Sequence, residues 1–558
     1  MRWMKPDPHH EAARTLSREL GAPLLIARLL AQRGLADPDE ARRFLHPSLN
    51  GLHDPFLMRD MPAALSRLRA AAQHNENIVI YGDYDVDGTM AVVVLLTALR
   101  ALGAHVEAYI PNRFTDGYGM RVPAVEALAR GGARVVLSVD TGIREHEALA
   151  RLAELGVDAI VTDHHLPGDS LPKACAILNP RRPDCDYPEK NLAGVGVAFK
   201  LAQALLGMTE ASLRSYLKVV AIGSIADVVP LTGENRIIAS AGLAGLTQSA
   251  ASPALSGKAG IASLLAAAGL GGKIVTAGDV AFRVAPRLNA AGRMEDARKV
   301  IDLFTCNSAG EAQEIAAWLD DLNHDRQRAE DAIVGAIKEQ MKGEPEKAGH
   351  HSLLFAGEGW HRGVIGIAAQ RVVDLYHRPA LVLAIDDGIA YGSGRSIPGF
   401  HLLNALTRSA HLLSRFGGHA QAAGFSLPVS GIQPLEEEFE AYARAALTPR
   451  DLEPELRVDA AVRLGDLDEE LMSWLKQLEP FGCGNPTPVF SASAELAFPP
   501  RIVKEKHLKL CVRDGKKRFE AMGWNMAGRA SALQKCGRME LAFSLTENTF
   551  QNRTTIEL

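Results

Sequence analysis

IVIYGDYDVDG, residues 78 to 88, decides how the chain folds and raises the first question about what it does. The run IVIY has the length and β-branched content of a strand buried on both faces, and Asp-Gly followed by Thr89 reads as a strand-to-helix junction. Asp83, Asp85 and Asp87 crowd that junction at alternate positions, although carboxylates this close raise one another's proton affinity and destabilise the fold. Outward from here, NIVIYGD, TMAVVVLLTALRALG, VEAYIP, VPAVEALARGG, RVVLSVD, REHEALARLAELG and DAIVTDHH alternate short apolar runs with helical ones. That alternation predicts a parallel sheet with helices on both faces.

Further acidic and imidazole groups fall at the same structural place, the carboxyl end of a predicted strand: Asp140 after RVVLSV, and Asp163, His164 and His165 after DAIVT. Open α/β sheets bind ligands at that edge, so groups distant in sequence are expected to converge. Carboxylates and imidazoles in one crevice repel unless cations neutralise them, and mixed oxygen and nitrogen donors suit Mn²⁺ or Mg²⁺. A plainer reading makes the three aspartates a turn with one helix cap, and either histidine alone is more often structural than a ligand. Asp227, in AIGSIADVVP, lies on an otherwise apolar helix, either as its end cap or as a further ligand.

With 558 residues the chain exceeds one hydrophobic core, so several domains are expected. We expect a helical segment over 1–75, an α/β domain over 76–235, a helical region with a long connecting helix over 236–345, a second α/β domain over 346–450, and a small β-barrel over 451–558. Cys175, Cys185, Cys306, Cys483, Cys511 and Cys536 form no CxxC pair, which argues against a zinc ribbon and gives no disulfide framework. MRWMKPDPHHEAAR has no apolar signal region and no later stretch reads as a membrane span, so a cytoplasmic protein without a membrane partner is expected. The net charge of -5 does not suggest a polyanion partner, but a global sum hides local faces. In RIVKEKHLKLCVRDGKKR eight Lys or Arg residues meet only Glu505 and Asp514, near Phe519 and Trp524, a composition suited to gripping and stacking a single strand.

GDYDVDG, SVDTG, TDHH and SIADVVPL resemble the motifs of the DHH phosphoesterases. RVAPRLNAAGRMEDA, HRGVIGIAAQR, GSGRSIPGFHL, FGGHAQAAGF and LEPFGCGNPTPVF narrow the resemblance to that family's single-strand-specific 5′ to 3′ exonucleases, over nearly the whole chain. The resemblance implies a DHH domain with a parallel sheet and a DHH-associated domain, joined by the long helix, and a C-terminal OB-fold barrel. It implies two divalent ions, Mn²⁺ or Mg²⁺, bridged by Asp140, with Asp85 and Asp83 completing one site and Asp87, His164 and Asp227 the other. His165 would face the scissile phosphate. Related pyrophosphatases carry a histidine where Tyr81 stands, which leaves the first ligand set open.

Ser393, Arg395, Ser396 and His419 lie beside glycines, and with Arg113 they are implied to hold the 5′-terminal phosphate. Arg283, Arg287, Asn289 and Arg293, in a stretch without acidic residues, would line the strand path. The expected function is metal-dependent hydrolysis of single-stranded DNA from its 5′ end to mononucleotides, in repair and recombination. Partners suggested by the family are a RecQ-type helicase and a single-strand-binding protein, with the enzyme a monomer. The competing readings are a hydrolase of short oligonucleotides or cyclic dinucleotides, against which the basic C-terminal domain speaks, and a non-catalytic nucleic-acid-binding relative.

Overall fold

The computed structural model describes residues 2–7, 9–113, 119–252, 259–550 and 553–558. IVIY forms β1 (Ile78–Tyr81), every residue of it buried, and Asp85 caps the following α1 (Val86–Ala101) by accepting the Gly88 amide at 3.0 Å. Nearly all of α1 is buried, because it packs between α4 (Gly194–Leu206) and α5 (Glu210–Ala226) as well as against the sheet. β2 (Val106–Tyr109), β3 (Val135–Val139), β4 (Asp158–Thr162) and β5 (Ala176–Leu178) complete a fully parallel sheet in the order β2-β1-β3-β4-β5. Helices α2 (Val122–Arg130) and α3 (His146–Glu154) fall between its strands in sequence.

The chain leaves β1 for β2 on one side and then crosses to β3 on the other, so β1 and β3 flank the switch in strand order. Loops leaving the carboxyl ends of neighbouring strands diverge at that point and open a crevice. The first two acidic groups of the sequence hang from these two strands, and the third follows β4.

By contact density the chain divides into two compact units. The unit just described also contains the N-terminal helices and the C-terminal β domain, which share one core: Leu16, Ile26, Leu29 and Leu30 pack with Leu475, Leu478, Phe490, Leu508 and Val512. In that β domain, β11 (Phe490–Leu496) pairs through its first five residues with β15 (Met539–Phe543) and through its last two with β13 (His507–Asp514), so the sheet curls. β12 (Arg501–Val503) and β14 (Lys517–Gly523) flank β13, and β16 (Thr546–Phe550) and β17 (Arg553–Glu557) extend the sheet. A curled half-barrel of the OB type results.

The second unit takes in Arg287–Asp296 and Glu314–Leu456, and with them most of the 35-residue helix α7 (Ala309–Gly343). Its mixed sheet has the order β9 (Arg415–Gly418), β10 (Ala422–Pro428), β8 (Ile389–Arg395), β7 (Ala380–Asp386), β6 (Leu353–Glu358), and only β6 and β7 run parallel. Helix α8 (Ile365–Tyr376) packs on β7 and β8, its Ala368, Ala369 and Val372 buried against Val382 and Phe425 in one core. No helix among the described residues is long and apolar enough to cross a membrane.

Candidate metal centre

At the carboxyl edge of the parallel sheet the acidic groups do meet. Asp83, Asp85 and Asp140 each offer an oxygen, and these atoms lie within 4.8 Å of one another; so do ligand atoms of Asp87, His164 and Asp227, and of Asp140, His164 and His165. His164 Nε2 is 3.2 Å from Asp140 Oδ1 and 3.8 Å from Asp87 Oδ2, and its Nδ1 is 3.7 Å from Asp227 Oδ2. Asp227 is also the C-terminal cap residue of α5, so the cap reading holds while its carboxylate reaches the cluster.

Local backbone geometry explains how so many carboxylates reach one place. Asp87, 2% exposed, accepts the first amides of α4 on both oxygens, Gly194 N at 2.6 Å and Val195 N at 2.8 Å. The positive end of that helix thus holds a carboxylate. Gly194 is required there, since a Cβ on it would lie 2.8 Å from Asp140 Oδ1. Asp140 (φ 57°) and Val228 (φ 59°), the residue after Asp227, are both left-handed. Such conformations cost on the order of 1–3 kcal/mol each and cluster at functional sites.

The electrostatics are those of an anionic pocket. Burial, and next the charge of Asp85, push Asp83 and Asp87 up to about 7. Burial and the Asp87 charge push Asp227 up to about 9, and the same two causes raise Asp140 well above the usual carboxylate range. Burial and then His165 lower His164 to about 4, which keeps its ring neutral with a lone pair to donate. Asp140 Oδ1 and His164 Nδ1 are buried and lack a hydrogen-bond partner among the described residues. Buried acceptors without donors, among carboxylates whose proton affinity burial and neighbouring charges raise together, fit hard divalent cations.

Asp163 plays a part that the sequence did not assign. Its Oδ1 accepts the amides of His164 at 2.7 Å and His165 at 3.0 Å and meets His165 Nδ1 at 2.8 Å, while Oδ2 accepts Ile143 N at 3.0 Å. Burial opposes both charges, yet this hydrogen bond prevails, lowering Asp163 and raising His165. An aspartate just before two histidines is placed to accept their amides, and that is the signal available in the sequence. Tyr84 is a second such residue: Arg113, beside the cleft, lays its guanidinium over the Tyr84 ring at 4.1 Å.

The other anticipated contacts are more constrained than their sequence context suggests. In the second unit, Arg395 Nη1 donates to Ser393 Oγ at 3.2 Å and to Gly394 O at 2.8 Å, close to Gly366 in α8. The His419 amide donates to Ala422 O at 2.8 Å. Ser396 is buried, and its hydroxyl donates to Phe400 O at 2.8 Å, which fits a turn-forming role. Arg287 pairs with Asp320 at 2.8 Å, Arg293 reaches Gly363 O at 3.4 Å, and half-buried Asn289 lies between them in the helix Ala285–Met294. Arg283, in the unit that carries the acidic cluster, pairs with Asp279 at 3.1 Å and donates to Ala268 O and Gly269 O. The acid-free stretch therefore draws its counter-charges from outside itself.

On the β domain, Phe519 is 8% exposed and belongs to the core, which corrects its pairing with Trp524 as a stacking surface. Trp524, 68% exposed, stands edge-on to His507 with ring centroids 4.9 Å apart. Arg501 faces Lys509 and Arg513 faces Arg518 directly across the ladder. Glu520 meets Lys509, and Glu495 meets Arg513 at 3.3 Å, so the four cations are only half neutralised by these two.

Comparison with known proteins agrees with this architecture. Residues 77–224 match the N-terminal domain of the DHH family, 349–445 the DHHA1 domain, and 458–558 the RecJ OB domain. The chain is 38% identical to the single-stranded-DNA-specific exonuclease RecJ of Bacillus subtilis (strain 168), over all of this chain and 70% of that one. The crystal structure of RecJ from Thermus thermophilus in complex with Mn²⁺ superposes with a TM-score of 0.84 at 31% identity, covering 100% of this chain and 78% of that one. Its complex with Mg²⁺ gives 0.78 at 29%, covering 100% and 77%.

Proposed function

The chain belongs to the RecJ exonucleases, the single-stranded-DNA-specific members of the DHH family, and from that premise we propose that its acidic cleft holds two divalent ions and removes nucleotides one at a time from the 5′ end of a strand. The observation that carries this reading is the meeting of the ligand triads on Asp140 and His164. Asp83, Asp85 and Asp140 would hold one ion; Asp87, His164, Asp227 and the shared Asp140 would hold the other, either as Mn²⁺ or Mg²⁺. Bound there, the pair supplies an acidified water and charge stabilisation for the attacking and leaving oxygens.

The chain's own groups do the rest. Asp163 locks the His165 ring through Nδ1, leaving Nε2 for an oxygen of the scissile phosphate. The α4 amides hold Asp87 in place, and their hydrogen bonds work against the upward push of burial and Asp85 on its carboxyl. We assign phosphate contacts to Arg113 in this unit and, in the second unit, to Ser393, Arg395 and His419, with Ser396 shaping the turn. Arg283, Arg287, Asn289 and Arg293 are assigned to the strand path, which their ion pairs pre-order. The β12–β14 face is assigned to sequence-independent grip, since like charges directly opposite in a ladder cost stability and persist where a polyanion repays it.

On this reading residues 76–235 are catalytic, 346–450 hold phosphate and 451–558 hold the strand. A monomeric enzyme working in the cytoplasm on strands opened by a RecQ-type helicase or coated by a single-strand-binding protein suits these parts. The test is digestion of single-stranded DNA labelled at one end, with Mn²⁺, Mg²⁺ or chelator, each end blocked in turn. Cleavage should need the metal and stop only with the 5′ block; metal-free cleavage, or arrest by the 3′ block, refutes the reading.

A further inference from the structure

The stretch that opened the sequence carries two tyrosines that no ligand set uses. Tyr81, fully buried at the end of β1, donates its hydroxyl to Gly119 O at 3.1 Å. Tyr84, 9% exposed, stands between Asp83 and Asp85, and its amide is bound by Asp83 Oδ1 at 2.7 Å. Its ring forms the platform under Arg113, 4.1 Å from guanidinium carbon to ring centroid. Arg113 Nε is buried with no hydrogen-bond acceptor among the described residues, and the guanidinium charge pulls the Asp83 carboxyl downward, against the larger effect of burial.

An arginine that binds phosphate must be held in plane without spending its donors, and stacking on a ring does that, since the face of the ring attracts the cation and leaves the N–H edge open. A carboxylate partner would instead consume the donors and cancel the charge. We propose that Tyr84 is a positioning residue for recognition of the strand's terminal phosphate: it holds Arg113 flat beside the metal-bearing aspartates, while Tyr81 ties the same β2-to-α2 connection at Gly119. Two residues of the ligand stretch thereby set end preference without touching metal or DNA. The proposal rests on the assignment of Arg113 to phosphate.

The experiment compares kcat/KM of the Mn²⁺-loaded enzyme on oligothymidylate carrying a 5′-phosphate or a 5′-hydroxyl. Wild type should favour the phosphate, and Tyr84→Leu should reduce that ratio about five- to tenfold, mainly through KM, because the platform is lost. Tyr84→Phe, which keeps the ring face, should retain the ratio, and Arg113→Ala should abolish it. A general defect would lower both substrates together and leave the ratio alone, and a cooperative melt confirms folding of each variant. Should Tyr84→Leu fail to melt cooperatively, Tyr84→Met carries the same expectation. A wild-type ratio in the folded non-aromatic variant, with Arg113→Ala impaired, overturns the role of Tyr84 alone. A wild-type ratio in Arg113→Ala overturns the assignment of Arg113 and this proposal with it.

Discussion

Asp163 is the residue whose work differs most from its place in the motif. It gives the motif its first letter, yet its oxygens are taken by three amides and the His165 ring. Asp163→Asn should therefore lower kcat roughly 10–100-fold, as losing the orienting partner of a site histidine does, while bound Mn²⁺ measured by atomic emission stays near wild type. Asp140→Ala removes the proposed shared ligand; nucleotide release should fall on the order of 10³-fold or more, and single-strand affinity should change little in a filter-binding assay. The ligand-type residues were legible because chemistry restricts which side chains crowd the end of a strand. Ser396, Arg287 and Phe519 were not, because a serine, an arginine or a phenylalanine reads alike in sequence whether its partner is solvent, substrate or a distant part of the chain.

Among the elements, the strand-to-helix junctions carry the precision. A Cβ on Gly88 would lie 2.7 Å from the Asp83 carbonyl oxygen, so Gly88→Ala should destabilise by about 1–3 kcal/mol in urea unfolding and weaken metal binding together. The β13–β14 hairpin should behave in the opposite way. Replacing Arg513 and Arg518 by Ala should leave the urea midpoint unchanged or slightly higher, because a like-charge pair is relieved, yet lower single-strand affinity. The slope of log affinity against log salt should shrink by about 0.7 for each phosphate no longer neutralised. The alternation of apolar and helical runs disclosed the parallel sheet, and hence which loops gather. The register that sets Arg513 opposite Arg518 was hidden, since hairpin pairing is settled by packing on the inner face, by Val512 and Phe519, and not by the charges outside.

At the scale of the molecule, the N-terminal helices and the C-terminal β domain meet on one buried arginine. Arg236, 1% exposed, lies in α6 (Gly233–Ala251) and donates to the carbonyls of Phe44, Gln477, Leu478, Glu479 and Pro480, with its guanidinium 3.7 Å from the Phe44 ring centroid. Arg236→Ala strips partners from several buried carbonyls at once and should cost at least about 3 kcal/mol by chemical unfolding. Nothing in the sequence distinguishes this arginine from a solvated one, because its acceptors are backbone atoms near both ends of the chain. The shared core has a practical consequence for anyone trimming the protein: a version ending before residue 457 would leave Leu16, Ile26, Leu29 and Leu30 facing water as an adhesive stripe. Such a shortened enzyme should aggregate on expression, and coexpression of the missing piece should restore its solubility.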